Sequence, residues 1–267
     1  MKLPFCKLCK TRQADKKNSH IIPKFLCSGL FESTKPRHSL MISKNGAGRK
    51  IQDTPKEDNI LCVYCEKRIE IIETHFARII KDIHNYPNLP DKFNFFNNVN
   101  QPHYIECANI HPTLFRLFIY SLIWRASISN LIEFKKFKVS KLIEEELRLF
   151  LNVNLTINKK TLLDSLDVIN DIPLHDYCFL KPYEKSDASR GIFTAYNLDE
   201  SRHLLLIVDF AIFFFADENL IDGILKIVSN KQNEKVIIGL GNKIAWTDLN
   251  QKILEQMLGQ KTTANRL

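Results

Sequence analysis

Two cysteine pairs, Cys6-x-x-Cys9 and Cys62-x-x-Cys65, constrain this chain more than any other feature. Each pair can offer two thiolates to one ion, and four thiolates close a tetrahedral structural zinc site. Residues 10–61 lie between the pairs, a longer gap than a zinc ribbon needs, so something is inserted there. Cys27 also falls in this early region, whereas only Cys107 and Cys178 follow it. Residues 1 to about 56 are polar, basic and broken by Gly and Pro. A segment of that kind cannot bury a large core alone and needs a metal or another staple.

Composition excludes several classes. Of 267 residues, 45% are hydrophobic and 25% charged, which is the balance of a globular chain and not of a disordered one. Eight glycines and ten prolines exclude a collagen-like sequence. Lys+Arg exceed Asp+Glu by 38 to 30, a net charge of +8 that suits a polyanionic partner without requiring one. No apolar run follows Met1 before Cys6, so no secretory signal is expected. The longest apolar stretch, Leu204 to Ala216, is too short to span a bilayer, contains Asp209, and suits a pair of buried strands. The expectation is a cytoplasmic protein without membrane association, whose cysteines are thiols or ligands and not disulfides.

Apolar residues Ile69, Ile72, Phe76, Ile79, Ile80 and Ile83 recur at helical spacing, predicting a helix from near Cys62 to Asp82. Residues 85–102, rich in Asn, Pro and Phe, read as a linker. Helices are predicted at about 112–128, 139–150 and 160–169, with His111-Pro112 marking the first start. Strands are predicted at 177–180, 191–197, 203–209, 211–215 and 234–240, then a helix at 247–258. The fold class is therefore α+β. A zinc-stabilised module spans 1–84, and a helical and antiparallel-sheet domain of unassigned role spans 103–267.

The insert contains Ser19-His20-Ile21-Ile22-Pro23, which suits a short strand ending in a turn, and Asp58-Asn59-Ile60-Leu61 leads into the second cysteine pair. The order Cys-x-x-Cys, His-Ile-Ile-Pro, Asn-x-Leu-Cys-x-x-Cys resembles the HNH endonuclease family, of the ββα-metal or His-Me finger kind. The resemblance covers about residues 6–75. It implies a treble-clef-like module with structural Zn²⁺, a hairpin carrying the histidine, and a helix starting at the second pair. His20 matches the general base that takes a proton from the attacking water, a role that an imidazole near pKa 6.5 suits. Asn59 matches the residue that orients it. The family also binds a catalytic divalent ion, with ligands just before the base and at the start of the helix.

This chain departs from the family there. Ser19 stands where Asp or His is usual, and Glu66 where His or Asn is usual. Glu66 and Glu70, four apart, share a helix face, with Glu73 at the next turn. Ser19, Glu66 and Glu70 are thus the candidate ligands, and oxygen donors favour Mg²⁺ or Mn²⁺. A solvated acidic face near a helix N-terminus is the plainer reading of the two glutamates. Between His20 and Asn59, Lys24, Lys35, Arg37, His38, Lys44, Arg49 and Lys50 offer phosphate contacts. Asn45-Gly46 suggests a hairpin tip. Arg125, on a largely apolar helix, either reaches the site or pairs with an acid as a buried arginine.

The resemblance implies a hydrolase cutting nucleic acid, DNA ahead of RNA, of the sort found in bacterial antiviral defence, toxin and mobile-element proteins. A free nuclease harms its host, so a regulatory protein partner, a ligand or a homo-oligomer is expected to control it. The rival reading is a non-catalytic treble-clef zinc module that binds nucleic acid or protein. A third is an adaptor in which the charge is incidental.

Overall fold

The apolar stripe between Cys65 and Ile83 determines the first long element. In the computed structural model, α1 (Val63–His84) buries Cys65, Ile69, Ile72, Phe76, Ile80 and Ile83. Cys62 caps it, its Sγ accepting from the Cys65 backbone N–H at 3.4 Å. The structure describes residues 3–31, 39–42, 48–97, 102–170, 172–173, 175–183, 192–221, 223–230 and 235–258. Before α1 come β1 (Ser19–His20), β2 (Ser39–Ile42), β3 (Gly48–Ile51) and β4 (Lys56–Glu57). β1 pairs with β4 and β2 with β3, both antiparallel.

The segment read as a linker holds a strand instead. β5 (Phe93–Phe96) pairs with β6 (His103–Cys107), which the sequence reading had also passed over. Tyr86, just after α1, is buried, and Lys92 bridges back to Asp82 at 2.7 Å. α2 (Pro112–Ile128) begins as predicted, with Pro112 in its first turn and His111 Nδ1 accepting from Thr113 N–H at 3.2 Å. Every residue from Leu114 to Ile128 is buried, as an apolar-all-round helix requires. α3 (Lys141–Asn154) and α4 (Lys159–Asp164) follow, capped by Ser140 and Asn158.

The remaining strands are β7 (Asp176–Pro182), β8 (Phe193–Asn197), β9 (Arg202–Ile207), β10 (Phe210–Phe215) and β11 (Val236–Gly241). α5 (Gly223–Ile227) and α6 (Lys243–Leu258) flank β11. The apolar stretch 204–216 is a strand pair turning at Val208 and Asp209, with Val208 in the left-handed region at φ +55°. With β5 and β6 these strands form one seven-stranded sheet, ordered β5-β6-β11-β7-β10-β9-β8. All neighbours are antiparallel except β7 and β11, which run parallel, so the expected antiparallel sheet needs that correction.

The two regions share a core. One apolar cluster runs from Cys6 and Leu8 through α1 and α2 to Leu240 on β11. Phe76 of α1 stacks on Phe118 of α2 at 4.3 Å, and Phe115 meets Phe179 of β7 edge-on at 5.4 Å. On the opposite side of the sheet, Trp246 and Ile253 of α6 cluster with Leu204, Leu206 and Ala211. No helix among the described residues is long and apolar enough to cross a membrane.

Candidate metal centre and the histidine cavity

The first cysteine pair sits in a tight turn. Lys10 takes φ +58° and donates its N–H to Cys6 O at 2.9 Å, folding Cys9 back beside Cys6. Backbone bonds then join the turn to the residues before α1: Lys7 N to Ile60 O at 2.9 Å and Lys16 N to Leu61 O at 3.0 Å. Asn59 also takes a left-handed φ of +58° and donates its N–H to Lys16 O. These bonds bring the sulfurs of Cys6, Cys9, Cys62 and Cys65 within 4.8 Å of one another. Four thiolates at the usual zinc distance of about 2.3 Å stand roughly 3.8 Å apart, so the donor set and spacing fit a tetrahedral ion. The cysteines can hold a structural metal.

Crowding the thiols perturbs them. The Cys65 thiol, donating to Cys6, lowers the Cys6 pKa and is itself pushed up. A metal ion replaces that shared proton. Arg68 Nη1 lies 3.8 Å from Cys65 Sγ, and its Nε donates to Leu155 O at 2.8 Å, tying the sulfur cluster to the end of α3. Nothing in the local sequence pattern signals this arginine, because its partners at the end of α3 are 83 to 87 residues away.

A second feature lies along α1. A cavity of about 640 Å³ is lined by His20, Lys24, Phe25, Glu70, Glu73 and Thr74, among others. Strand alternation explains how His20 reaches it. Ser19 is fully buried, its neighbour His20 is partly exposed, and successive strand side chains point to opposite faces. His20 Nε2 is buried and has no hydrogen-bond partner. Burial first, then the positive charge of Lys56, lowers the His20 pKa against the opposing pull of Asp53. The ring is therefore neutral at pH 7, with a lone pair available on one nitrogen.

Other sequence expectations fare differently. Ser19 and Glu66 do come together, but Ser19 Oγ donates to Glu66 Oε2 at 2.5 Å, so each already has a partner. Glu70 is exposed on the cavity wall. Among the described residues, the four cysteines are the one group of three or more His, Cys, Asp or Glu side chains placed to hold an ion. Ser19 and Glu66 thus bond each other, and no hydrogen bond joins Glu70 to either. No hydrogen bond joins Asn59 to His20, and Asn59 instead turns the backbone between β4 and the second cysteine pair. Lys24 lines the cavity, and Arg49 and Lys50 are exposed on β3. Arg37 and Lys44, with Lys35, His38 and Asn45-Gly46, lie outside the described residues.

Glu73, outside the expected ligand set, lines the cavity and has a buried arginine behind it. Glu73 Oε1 lies 2.6 Å from Arg125 Nη2, and the arginine side chain is only 2% exposed. Burial raises the Glu73 pKa against the pull of Arg125, and the charges of Glu66 and Glu70 raise it further. Arg125 was legible as a buried arginine seeking an acid, but its partner is set by the α1–α2 packing. No family model matches the chain, and neither a curated protein nor a solved structure does.

Proposed function

We propose that this chain is an HNH-type endonuclease with a structural zinc at Cys6, Cys9, Cys62 and Cys65, hydrolysing nucleic-acid phosphodiesters, DNA in preference to RNA. The observation that carries the reading is His20. It lies between the two cysteine pairs in sequence and on a cavity wall in space, with Nε2 buried and unpartnered. In this role the neutral imidazole takes a proton from water. The resulting hydroxide attacks phosphorus, and the P–O bond to the leaving sugar oxygen breaks. Lys24 on the same wall and the exposed Arg49 and Lys50 supply positive charge for the backbone. A catalytic Mg²⁺ or Mn²⁺ is part of the proposal. Of its three expected ligands, Glu70 alone has no bonded partner among the described residues.

The Ser19–Glu66 bond favours a second reading, in which the module binds nucleic acid or a protein without turnover. Plasmid cleavage separates the two. Wild-type and His20→Ala protein are assayed with EDTA, Mg²⁺ or Mn²⁺, with zinc counted in both. Nicking that needs the ion and His20 supports the nuclease. Salt-dependent binding with no cleavage under any condition supports the binding module. Cleavage retained by His20→Ala removes His20 from the mechanism.

A further inference from the structure

The β1–β4 pair that carries His20 has two residues per strand, too few to hold its own geometry in water. It is braced from outside the cysteine module. Arg125 on α2 donates from Nη1 to the His20 carbonyl at 2.8 Å, from Nε to Ser121 O at 3.1 Å, and faces Glu73 through Nη2. The opposite strand is held by the same end of the same helix. Glu57, which pairs with Ser19, accepts from Ser129 Oγ at 2.7 Å, Asn130 N–H at 3.0 Å and Asn130 Nδ2 at 3.0 Å. Both strands therefore rest on the C-terminal turn of α2 and the residues just beyond it.

We infer that Arg125 is a positioning residue for His20, and that the strand bearing His20 is held by the region after residue 103 and not by the cysteine module alone. This rests on the proposed role of His20 for its kinetic arm only. The guanidinium is planar and has five donors. One edge fixes the strand that bears His20, and the other lies against the acid on α1. Glu73 Oε1 stands 2.6 Å from Nη2 without a hydrogen bond of good geometry, so the guanidinium is held by its bonds to the Ser121 and His20 carbonyls, and the second of these fixes the backbone of the residue that bears the imidazole. Lysine has one donor centre and cannot hold all three partners in a plane. A ligand or partner that shifts α2 would thus move His20 without touching it.

The test uses the full chain with Arg125→Lys, Arg125→Gln and, as a buried-arginine control on the same helix, Arg116→Gln. Arg116 donates to Asn230 O, on the far side of α2's sequence from His20. The first readout is amide hydrogen exchange. The Ile21 N–H, bonded to Pro55 O at 3.1 Å, reports the β1–β4 pair, and the Ala14 N–H, bonded to Pro4 O at 2.8 Å, reports the cysteine turn. Both Arg125 variants are expected to speed Ile21 exchange relative to Ala14, and Arg116→Gln to leave that ratio unchanged. An unchanged ratio in Arg125→Gln overturns the inference, whatever the protein catalyses. The second readout is cleavage kinetics per folded molecule. A misplaced reacting group costs on the order of a hundredfold in rate, so kcat is expected to fall at least about tenfold in both Arg125 variants with KM little changed. Arg116→Gln lowers the melting temperature alone. Wild-type kcat in folded Arg125→Gln overturns the inference. Wild-type kcat in His20→Ala overturns the nuclease role of His20 instead, and leaves the exchange result to decide the brace.

Discussion

His203 ought to make this protein acid-labile, by an amount that follows from its surroundings. It sits on β9, fully buried between the rings of Phe137 and Phe214. Asn197 Nδ2 donates to Lys138 O at 2.7 Å and its Oδ1 accepts from Lys138 N–H at 3.1 Å, which fixes which end of the amide is oxygen. That oxygen lies 2.8 Å from His203 Nδ1, so Nδ1 carries the proton and Nε2 the lone pair. Nε2 is buried with no partner. Protonating it creates a charged N–H with nothing to bond, and burial accordingly pushes the His203 pKa from 6.5 to about 4. Because the folded pKa is depressed, the neutral ring's contribution is fully present above pH 6.5 and is lost as pH falls toward 4. A drop of that size corresponds to about 3 kcal/mol, or roughly 10 °C of melting temperature in a chain of this length. The assay is urea unfolding of wild type and His203→Asn at steps from pH 7.5 to 4.5. Asparagine keeps a donor for Asn197 but cannot titrate. The variant starts less stable, from lost volume, but lacks this part of the acid slope. Carboxylates such as Glu145, held down at about 2 by its hydrogen bonds from Arg148 and Lys10, contribute equally to both proteins. Parallel loss of stability in the two proteins between pH 6.5 and 4.5 would refute the argument.

Three further outcomes are expected. Cys62→Ser removes one of four sulfurs while leaving an oxygen to cap α1, so metal content by atomic spectroscopy should drop well below the wild type's and the melting curve should shift down; full metal content with an unchanged curve contradicts the site. Phe76→Ala empties a fully buried position between α1 and α2, at a cost of about 3–5 kcal/mol in chemical denaturation, and a loss under 1 kcal/mol, roughly that of a surface change, contradicts the shared core. In Gly239→Ala the new Cβ would stand 2.4 Å from Leu180 Cδ2 with Val228 Cγ2 behind it at 3.3 Å, so the Leu180 side chain must move, at about 1–3 kcal/mol if its neighbours hold it; a neutral result would mean that Leu180 swings aside freely.

What could be read from the sequence was local. The α1 stripe, the Pro112 start, the 204–216 strand pair and the cysteine spacing each depend on neighbours within a few residues, and the structure has all four. β5 was hidden because Asn and Pro around Phe93–Phe96 resemble a loop, and only pairing with β6 makes the segment a strand. The parallel β7–β11 contact joins residues some 60 positions apart, which no local pattern encodes. At the cavity, the histidine was legible and its surroundings were not. Ser19 and Glu66 read as two ligands from their positions, yet they bond each other, because the buried serine hydroxyl needs an acceptor that α1 happens to offer. The brace from Arg125, Ser129 and Asn130 depends on where α2 ends in space.

β11 enters the sheet in the middle, between β6 and β7, although it is the last strand in chain order among the described residues. Without residues 236–241, this strand order divides into two pieces, β5-β6 and β7-β10-β9-β8, each with an open edge where β11 would pair. A chain stopped or clipped before residue 236 would carry those edges exposed and be prone to self-association. The same topology makes the protein a candidate for splitting: a separate peptide spanning β11 and α6 has a slot of matching width waiting for it, and adding it in trans would zip the two half-sheets together.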